Sequence, residues 1–170
     1  LCRNQLGAEA SLLPDGQQAE VLRQEVLMPI GSEMTSLSAS VNTRLAKAIR
    51  LNYTADYSTS RSRVDGATLL PIDRVQQSAT IDFIIRDKLI CRVGGEHYFN
   101  SAIGGADRNM FFLDAALTYK GKRVEYVLDV RNLMDITSFS SASQSDITDY
   151  VYTYRLRPAS VMFTVKFSLR

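Results

Sequence analysis

Histidine, cysteine and long apolar runs are all scarce in this sequence, and each scarcity excludes a kind of protein. The single histidine, His97, leaves no metal site built from several histidines and is expected to be an ordinary strand residue. Two cysteines, Cys2 and Cys91, allow at most one disulfide, and we expect both thiols to be unpaired. No apolar run approaches the roughly 18 residues that a transmembrane helix needs.

The charge pattern excludes further functions. Charged residues make up 22% of the 170 residues, hydrophobic residues make up 45%, and the net charge is +2. No basic run is interleaved with aromatic residues, so no nucleic-acid partner is expected. The chain lacks the Ser/His/Asp or Cys/His composition of nucleophilic catalysis, and it has no glycine-rich phosphate loop. We therefore predict a protein that is not an enzyme and that holds no cofactor or metal.

The first 36 residues carry weak signals. The opening "LCRNQLGAEA" has no signal-peptide pattern and no initiator methionine, so we expect a piece of a longer or processed protein. Residues 17–28 are compatible with a short helix or an extended segment, and Pro14 and Pro29 limit either one. We predict that residues 1–36 are mostly outer loop or a partial strand, and that residues 37–170 form one β-domain.

From about residue 35 onward the chain alternates apolar and polar residues, which is typical of half-buried β-strands. In "IRLNYTADYS", for example, Ile49, Leu51 and Tyr53 take one face while Arg50 and Asn52 take the other. The same period recurs in six segments, which are "SLSASVNTRL", "IRLNYTADYS", "VQQSATIDFIIR", "LICRVGGEHYF", "MFFLDAALTYK" and "VEYVLDVRNL". We predict an all-β, antiparallel, up-and-down arrangement of seven or eight strands.

The closing segment, from Tyr150 to the end, changes the parity of its apolar residues. Tyr152 and Tyr154 are at even positions, whereas the apolar residues after Pro158 are at odd positions. A bulge in one long strand explains the change, because a bulge shifts the face by one residue and tolerates proline. A tight turn between two strands is the alternative.

An apolar face and a polar face on every strand fit two architectures. A soluble barrel or sandwich points the apolar face inward, and an outer-membrane barrel points it outward into lipid. Predicted connections alternate between short ones at 46–48, 86–88 and 120–122 and long, polar ones at 59–74, 100–108 and 134–148. Short turns on one rim and long loops on the other are typical of an outer-membrane barrel.

Aromatic and charged residues fit the membrane alternative. The aromatic residues near predicted strand ends suggest girdles at two interfaces, and they are Tyr53, Tyr57, Tyr98, Phe99, Phe111, Phe112, Tyr119 and Tyr126. The polar residues predicted to face a lumen are Arg44, Arg50, Asp56, Asp82, Arg92, Glu96, Asp114, Glu125, Asp129, Arg131 and Lys166. Glu125 with Asp129, or Asp114 with Glu96, could be a catalytic carboxylate pair, but a solvated or ion-paired wall is the interpretation that we favour.

Three stretches carry a resemblance to a known family. They are "GEHYFN" at 95–100, "LDVRNLMD" at 128–135 and "YTYRLRPASVMFTVKFSLR" at 152–170. The chain from about residue 35 resembles the C-terminal barrel portion of TonB-dependent outer-membrane receptors of the Bacteroidetes type, related to starch-utilisation-C importers and to receptors with a carboxypeptidase-like regulatory domain. Met134 stands where the family has an aromatic residue, and the chain ends in Leu169–Arg170 where the family usually ends in an aromatic residue.

The resemblance implies a bacterial outer-membrane protein that imports a bulky nutrient such as a glycan, a peptide or a chelate. Such transporters have about 22 strands, so this chain would supply the last part of the wall. The implied partners are outer-membrane lipid, TonB through a missing N-terminal part, the barrel-assembly machinery and a surface lipoprotein. The loops at 59–74 and 134–148 would touch ligand or lipoprotein. The implied assembly-signal strand presents Val161, Phe163, Val165, Phe167 and Leu169.

Two alternatives stay open. The first is a self-contained eight-stranded outer-membrane barrel with an adhesive or structural role, which an additional strand within residues 17–28 would support. The second is a soluble ligand-binding β-barrel whose apolar face points inward.

Overall fold

The computed structural model describes residues 5–23, 26–64, 67–86, 88–144 and 149–168. Most of these residues lie in β-strands, and Gly105–Arg108 forms one short 3-10 turn. The strands are β1 (Gln5–Arg23), β2 (Val26–Ala46), β3 (Ile49–Val64), β4 (Ala67–Thr68), β5 (Ile72–Ile85), β6 (Leu89–Asn100), β7 (Asn109–Lys120), β8 (Val124–Arg131), β9 (Ser138–Gln144), β10 (Asp149–Arg155) and β11 (Ser160–Phe167). None of the described helical residues forms a segment with the length and hydropathy of a membrane-spanning helix.

Eight strands form one antiparallel sheet in the order β1-β2-β3-β5-β6-β7-β8-β11, and the two-residue β4 pairs with β3. β9 and β10 form a separate two-stranded ladder. Each strand of the large sheet neighbours the strand next to it in the chain, except that β4, β9 and β10 are bypassed. The prediction of an all-β, antiparallel, up-and-down arrangement is confirmed at this level.

The described residues among the first 36 lie in strands, whereas the sequence predicted mostly outer loop or a partial strand there. β1 spans 19 residues and pairs with β2, from Gln5 opposite Asn42 to Arg23 opposite Val26. The register breaks between Leu13 and Gln17, so Pro14 lies in an irregularity that needs no ladder N–H from it. Pro29 directly precedes Ile30, the first residue of β2 that pairs with β3. Its missing N–H therefore interrupts no pairing with β3.

The register confirms the predicted alternation of faces. One row across the sheet joins Thr43, Leu51, Ile81, Val93 and Ala115, and it continues through Val130 to Val161. The next row towards the short turns belongs to the opposite face and joins Arg44, Arg50, Asp82 and Arg92. Because the side-chain period of a strand is two, a continuous apolar face and a continuous polar face result.

The closing segment is neither a single bulged strand nor a hairpin of two paired strands. β10 pairs with β9, and β11 pairs with β8, with a break at residues 156–159 on one arm and 132–137 on the other. The four strands therefore form one long hairpin that is interrupted across both arms. The predicted long loop at 134–148 contains β9, so much of it is paired strand.

Very little of the described chain is buried. The buried hydrophobic residues are Ile72, Ile103, Met110 and Ala142. The accessible surface is 12691 Å². A compact folded monomer of the same mass, 19.0 kDa, exposes roughly 8,400 Å² by the usual scaling of surface with mass. The large sheet is thus a single layer, and most of its apolar side chains lie on an open face.

Candidate functional site

The polar face of the sheet contains a groove with a volume of about 760 Å³. β5, β6, β7 and β8 supply its base, and the start of β9 and the break before β11 supply one wall. The base is lined by small side chains, since Thr80 pairs with Gly94 and Ala116 lies opposite Arg92. Gly94 and Ala116 therefore add little bulk to the base of the groove.

Three aromatic rings close the end of the groove nearer the long connections. The Tyr98 ring lies 5.8 Å from Phe112 and 5.3 Å from Phe139, both in edge-on orientation. Phe112 and Phe139 are 6.2 Å apart. The Tyr98 hydroxyl donates a 2.7 Å hydrogen bond to Glu96 Oε2. This end therefore offers ring surface next to a hydroxyl and a carboxylate.

An ion pair lies at the other end. Arg92 donates from Nε and Nη2 to the two carboxylate oxygens of Asp82, at 2.6 and 3.1 Å. Asp82 is only 6% exposed, whereas the Arg92 side chain remains largely exposed. A two-pronged contact of this kind fixes the guanidinium in one orientation. Arg44 and Arg50 lie directly opposite each other in the adjoining strands, so this part of the face is rich in cations.

The side wall combines charges with a polar junction. Arg131 contacts Asp129 at 3.1 Å, and Asp114 Oδ1 accepts a 2.7 Å hydrogen bond from the Asn132 backbone N–H. Arg157 lines the same wall and makes no ion pair with any residue that the structure describes. Cations, carboxylates and aromatic rings within one groove suit a ligand that carries both charge and apolar surface.

The junction at Asn132 holds the interrupted hairpin together. Asn132 Nδ2 donates to the carbonyl oxygens of Ile136 and Arg157, at 2.8 and 2.9 Å, and Asn132 Oδ1 accepts from the Ile136 N–H. Across the break, Asp135 Oδ1 accepts from the Ala159 N–H at 2.9 Å. Asn132 and Asp135 both have positive φ, a conformation that Asn and Asp tolerate better than most residues. The "RNLMD" segment is thus a bend fixed by side-chain hydrogen bonds.

The three long connections predicted from the sequence meet at one end of the sheet. The Ala142 carbonyl oxygen accepts from Arg74 Nη2 at 2.7 Å and from Asn100 Nδ2 at 3.0 Å. Ser140 Oγ donates to Asp107 Oδ2 at 3.1 Å. The regions 59–74 and 134–148, proposed to contact ligand or lipoprotein, are therefore joined by the Arg74–Ala142 hydrogen bond. Whether they touch a ligand stays a prediction.

Comparison of the chain with protein-family models, with curated proteins and with solved structures finds no significant match. The resemblance to TonB-dependent receptors therefore stays an expectation from the sequence. No group of three or more His, Cys, Asp or Glu residues suited to a metal ion occurs among the described residues.

All eleven polar residues predicted to share a face do share one, according to the strand register. Five of them line the groove, namely Arg92, Glu96, Asp114, Asp129 and Arg131. Asp82 binds one of these five, and Asp56 accepts a hydrogen bond from Ser38 Oγ. Glu125 forms an ion pair with Lys166 at 3.0 Å. Arg44 and Arg50 lie outside the groove on the same face. That this face lines a lumen stays a prediction.

The aromatic end of the groove was not predicted from the sequence. Tyr98 and Phe112 were assigned to interfacial girdles, but both lie on the polar face with Phe139. Their even positions in β6 and β7 carried the signal, since Phe99 and Phe111 at odd positions belong to the apolar face. Phe139 lay in a predicted loop and gave no such signal.

The predicted assembly strand is β11, and its apolar residues are highly exposed. Val161, Phe163, Val165 and Phe167 point to the apolar face, with Phe163 63% and Phe167 70% exposed. Leu169, the fifth residue of the prediction, lies outside the described residues. Cys91 is a free thiol on the same face, and Cys2 also lies outside the described residues.

Proposed function

We propose that this chain forms part of the wall of a bacterial outer-membrane β-barrel, and that the barrel is a TonB-dependent receptor importing a bulky nutrient. The observation that carries the proposal is the single-layer sheet with one exposed apolar face. Such a face is unstable in water, and lipid is the covering that leaves the opposite, polar face free to line a channel.

Strand length supports the membrane setting. A tilted strand needs about 9–11 residues to cross a bilayer, and β5, β6 and β7 have 14, 12 and 12. On the apolar face of β7, Phe111 and Tyr119 are eight residues apart, or about 27 Å at roughly 3.4 Å per residue. With a tilt of about 40° the band is roughly 21 Å tall, close to the lipid-facing band of outer-membrane barrels.

The two ends of the sheet also support the membrane setting. Three short turns lie at one end, whereas the other end has the longer connections 101–108 and 132–159 together with the two residues that separate β1 from β2. An aromatic row joins Tyr119, Tyr126 and Phe163 near the short turns, at 6.4 and 6.2 Å. At the other end, His97 stacks on Phe111 at 4.3 Å. Aromatic residues at both limits of an apolar band are typical of the two membrane interfaces.

The groove fits the transport proposal as a place on the channel side where cargo makes contact. It combines the aromatic end at Tyr98 with the charges of Glu96, Arg131 and Arg157. In the proposed receptor, TonB acts through parts of the protein outside this sequence, and the joined outer segments at Arg74 and Ala142 face the cell exterior.

Detergent dependence tests the membrane setting. We expect the full chain to remain folded in micelles or phospholipid vesicles and to aggregate in plain buffer, because the apolar face is then uncovered. A folded monomer in plain buffer would favour the soluble ligand-binding barrel instead. The gene sequence upstream of Leu1 tests the receptor assignment. A plug domain with further alternating strands supports it, and a signal peptide directly upstream rejects it.

A self-contained eight-stranded outer-membrane barrel is the second candidate, because the large sheet has eight strands besides the two-residue β4. Closure requires β1 to pair with β11, whereas each of these two strands has one long-strand neighbour among the described residues. Hydrogen exchange in vesicles separates the closed eight-stranded barrel from the receptor wall, and the N–H groups to follow are those on the edge of β11 that does not pair with β8. Slow exchange in the isolated chain supports closure, and fast exchange supports a wall that needs further strands.

A further inference from the structure

Three short turns at one end of the large sheet, at 47–48, 86–88 and 121–123, carry a concentration of positive charge. Every described charged residue in or next to these turns, from Lys47 to Arg123, is a cation with an exposed side chain. We call this set the basic rim, and it consists of Lys47, Arg86, Lys88, Lys120, Lys122 and Arg123.

Backbone hydrogen bonds hold the three turns side by side. The Ile84 N–H donates to the Ala48 carbonyl oxygen at 2.7 Å, and the Lys120 N–H donates to the Lys88 carbonyl oxygen at 2.7 Å. The third turn is tight at Gly121, where a Cβ would lie 2.9 Å from the Val124 carbonyl oxygen. The basic rim is therefore one continuous strip, with fixed spacing between its turns.

The basic rim has no compensating carboxylate within the part of the chain that the structure describes. None of its six side chains makes an ion pair or a hydrogen bond there. The nearby Glu125 is already paired with Lys166. Asp87, between two of the cations in sequence, lies outside the described residues. Like charges on neighbouring strands repel one another, so an external anion would stabilise this edge.

The basic rim borders directly on the apolar face. Tyr119 precedes Lys120, and its ring belongs to the aromatic row with Tyr126 and Phe163. Exposed apolar side chains at this end include Leu45 and Ile85. A partner that meets both surfaces must present negative charges in a layer, with hydrocarbon immediately beside them. Phospholipid headgroups and their acyl chains have this arrangement.

We propose that the basic rim binds the phosphate groups of anionic phospholipids in the leaflet next to the short turns. This proposal rests on the proposed function, because the apolar face must be in lipid for the headgroups to reach the rim. The rim would set the depth of the sheet in the membrane and would concentrate anionic lipid around it.

Vesicle binding of the full chain tests the proposal. The chain is added to vesicles of phosphatidylcholine alone or of phosphatidylcholine with phosphatidylglycerol, and the bound fraction is measured by flotation in a density gradient, in which aggregated protein does not rise. The test variant combines Lys120→Gln, Lys122→Gln and Arg123→Gln. The matched control, Arg61→Gln with Arg63→Gln and Arg155→Gln, removes the same charge from exposed positions at the other end, outside the groove.

We expect tighter binding to the phosphatidylglycerol vesicles, a decline with added salt, and a loss confined to the test variant. Each cation near an anionic surface contributes about a factor of five, so three substitutions should weaken partition about a hundredfold. The charge-preserving variant Lys120→Arg, Lys122→Arg, Arg123→Lys should bind as the original chain does. Circular dichroism of each variant establishes that the strands are retained.

The failure of this proposal is distinguishable from failure of the membrane proposal. Equal binding to both kinds of vesicle, or equal losses in the test and control variants, would overturn the lipid specificity of the basic rim and leave the membrane proposal standing. Absence of binding to either kind of vesicle would overturn both.

Discussion

Ala115→Arg would put a charge at the centre of the apolar face, and the same substitution at Ala116 would put it on the polar face. Ala115 lies four residues from Phe111 and four from Tyr119, or about 14 Å from each limit of the band. Its neighbours across the ladders are Val93 and Val130. The two alanines are adjacent in β7, so side-chain size, charge and strand propensity are matched.

The expected costs differ because the surroundings differ. Arginine at the midplane of a lipid-facing strand costs about 2–4 kcal/mol, which lowers the folding equilibrium constant by a factor of about 30 to 1,000. At Ala116 the new guanidinium would lie between Arg92 and Asp129, whose opposite charges nearly offset each other. A change within about 0.5 kcal/mol is expected there.

The assay is denaturant unfolding of the full chain in phosphatidylcholine vesicles, followed by circular dichroism. The account predicts a clear fall in the free energy of unfolding for Ala115→Arg and almost none for Ala116→Arg. Equal costs at the two positions, or a larger cost at Ala116, would refute the assignment of the apolar face to lipid.

Substitutions at Asn132, at the Asp82–Arg92 pair and at Tyr98 test the junction and the groove by the same unfolding measurement. Asn132→Ala removes three hydrogen bonds and puts alanine at positive φ, so the free energy of unfolding should fall by about 2–4 kcal/mol. A fall within about 0.5 kcal/mol, as for an ordinary surface substitution, would contradict a bend fixed by Asn132. Asp82→Asn leaves the two-pronged partner Arg92 without its carboxylate and should cost about 1–2 kcal/mol, since the guanidinium is largely exposed. Adding Arg92→Gln should then cost little more, and full additivity would contradict the pairing. Tyr98→Phe should cost about 1 kcal/mol through the lost bond to Glu96, and Tyr98→Ala clearly more through the lost ring contacts.

The faces of the central strands were predictable because one rule decides them. Wherever apolar and polar residues alternate, as at Leu51 and Asn52, the side-chain period of two assigns each residue to a face without knowledge of its neighbours. The same rule placed all eleven polar residues correctly on one side.

The strands that the sequence did not predict form through pairing with residues that lie far away in the sequence. Pro14 and Pro29 suggested a boundary, yet both lie in strands because the register breaks at one and β3 ends beside the other. The serine-rich β9 has the composition of a loop and becomes a strand because β10 pairs with it. The pairing of β9 with β10 positions Phe139 at the groove, and the alternation of apolar and polar residues near Phe139 does not predict this pairing.

Single tryptophans test most directly whether lipid covers the apolar face of the sheet. The chain contains no tryptophan, so one introduced residue is the sole indole emitter. Leu113→Trp and Leu117→Trp on the apolar face of β7, and Phe112→Trp on the polar face, are compared in vesicles containing brominated lipid. The account predicts strong quenching at positions 113 and 117 and weak quenching at 112. Equal quenching at all three, or none at 113 and 117, would contradict it.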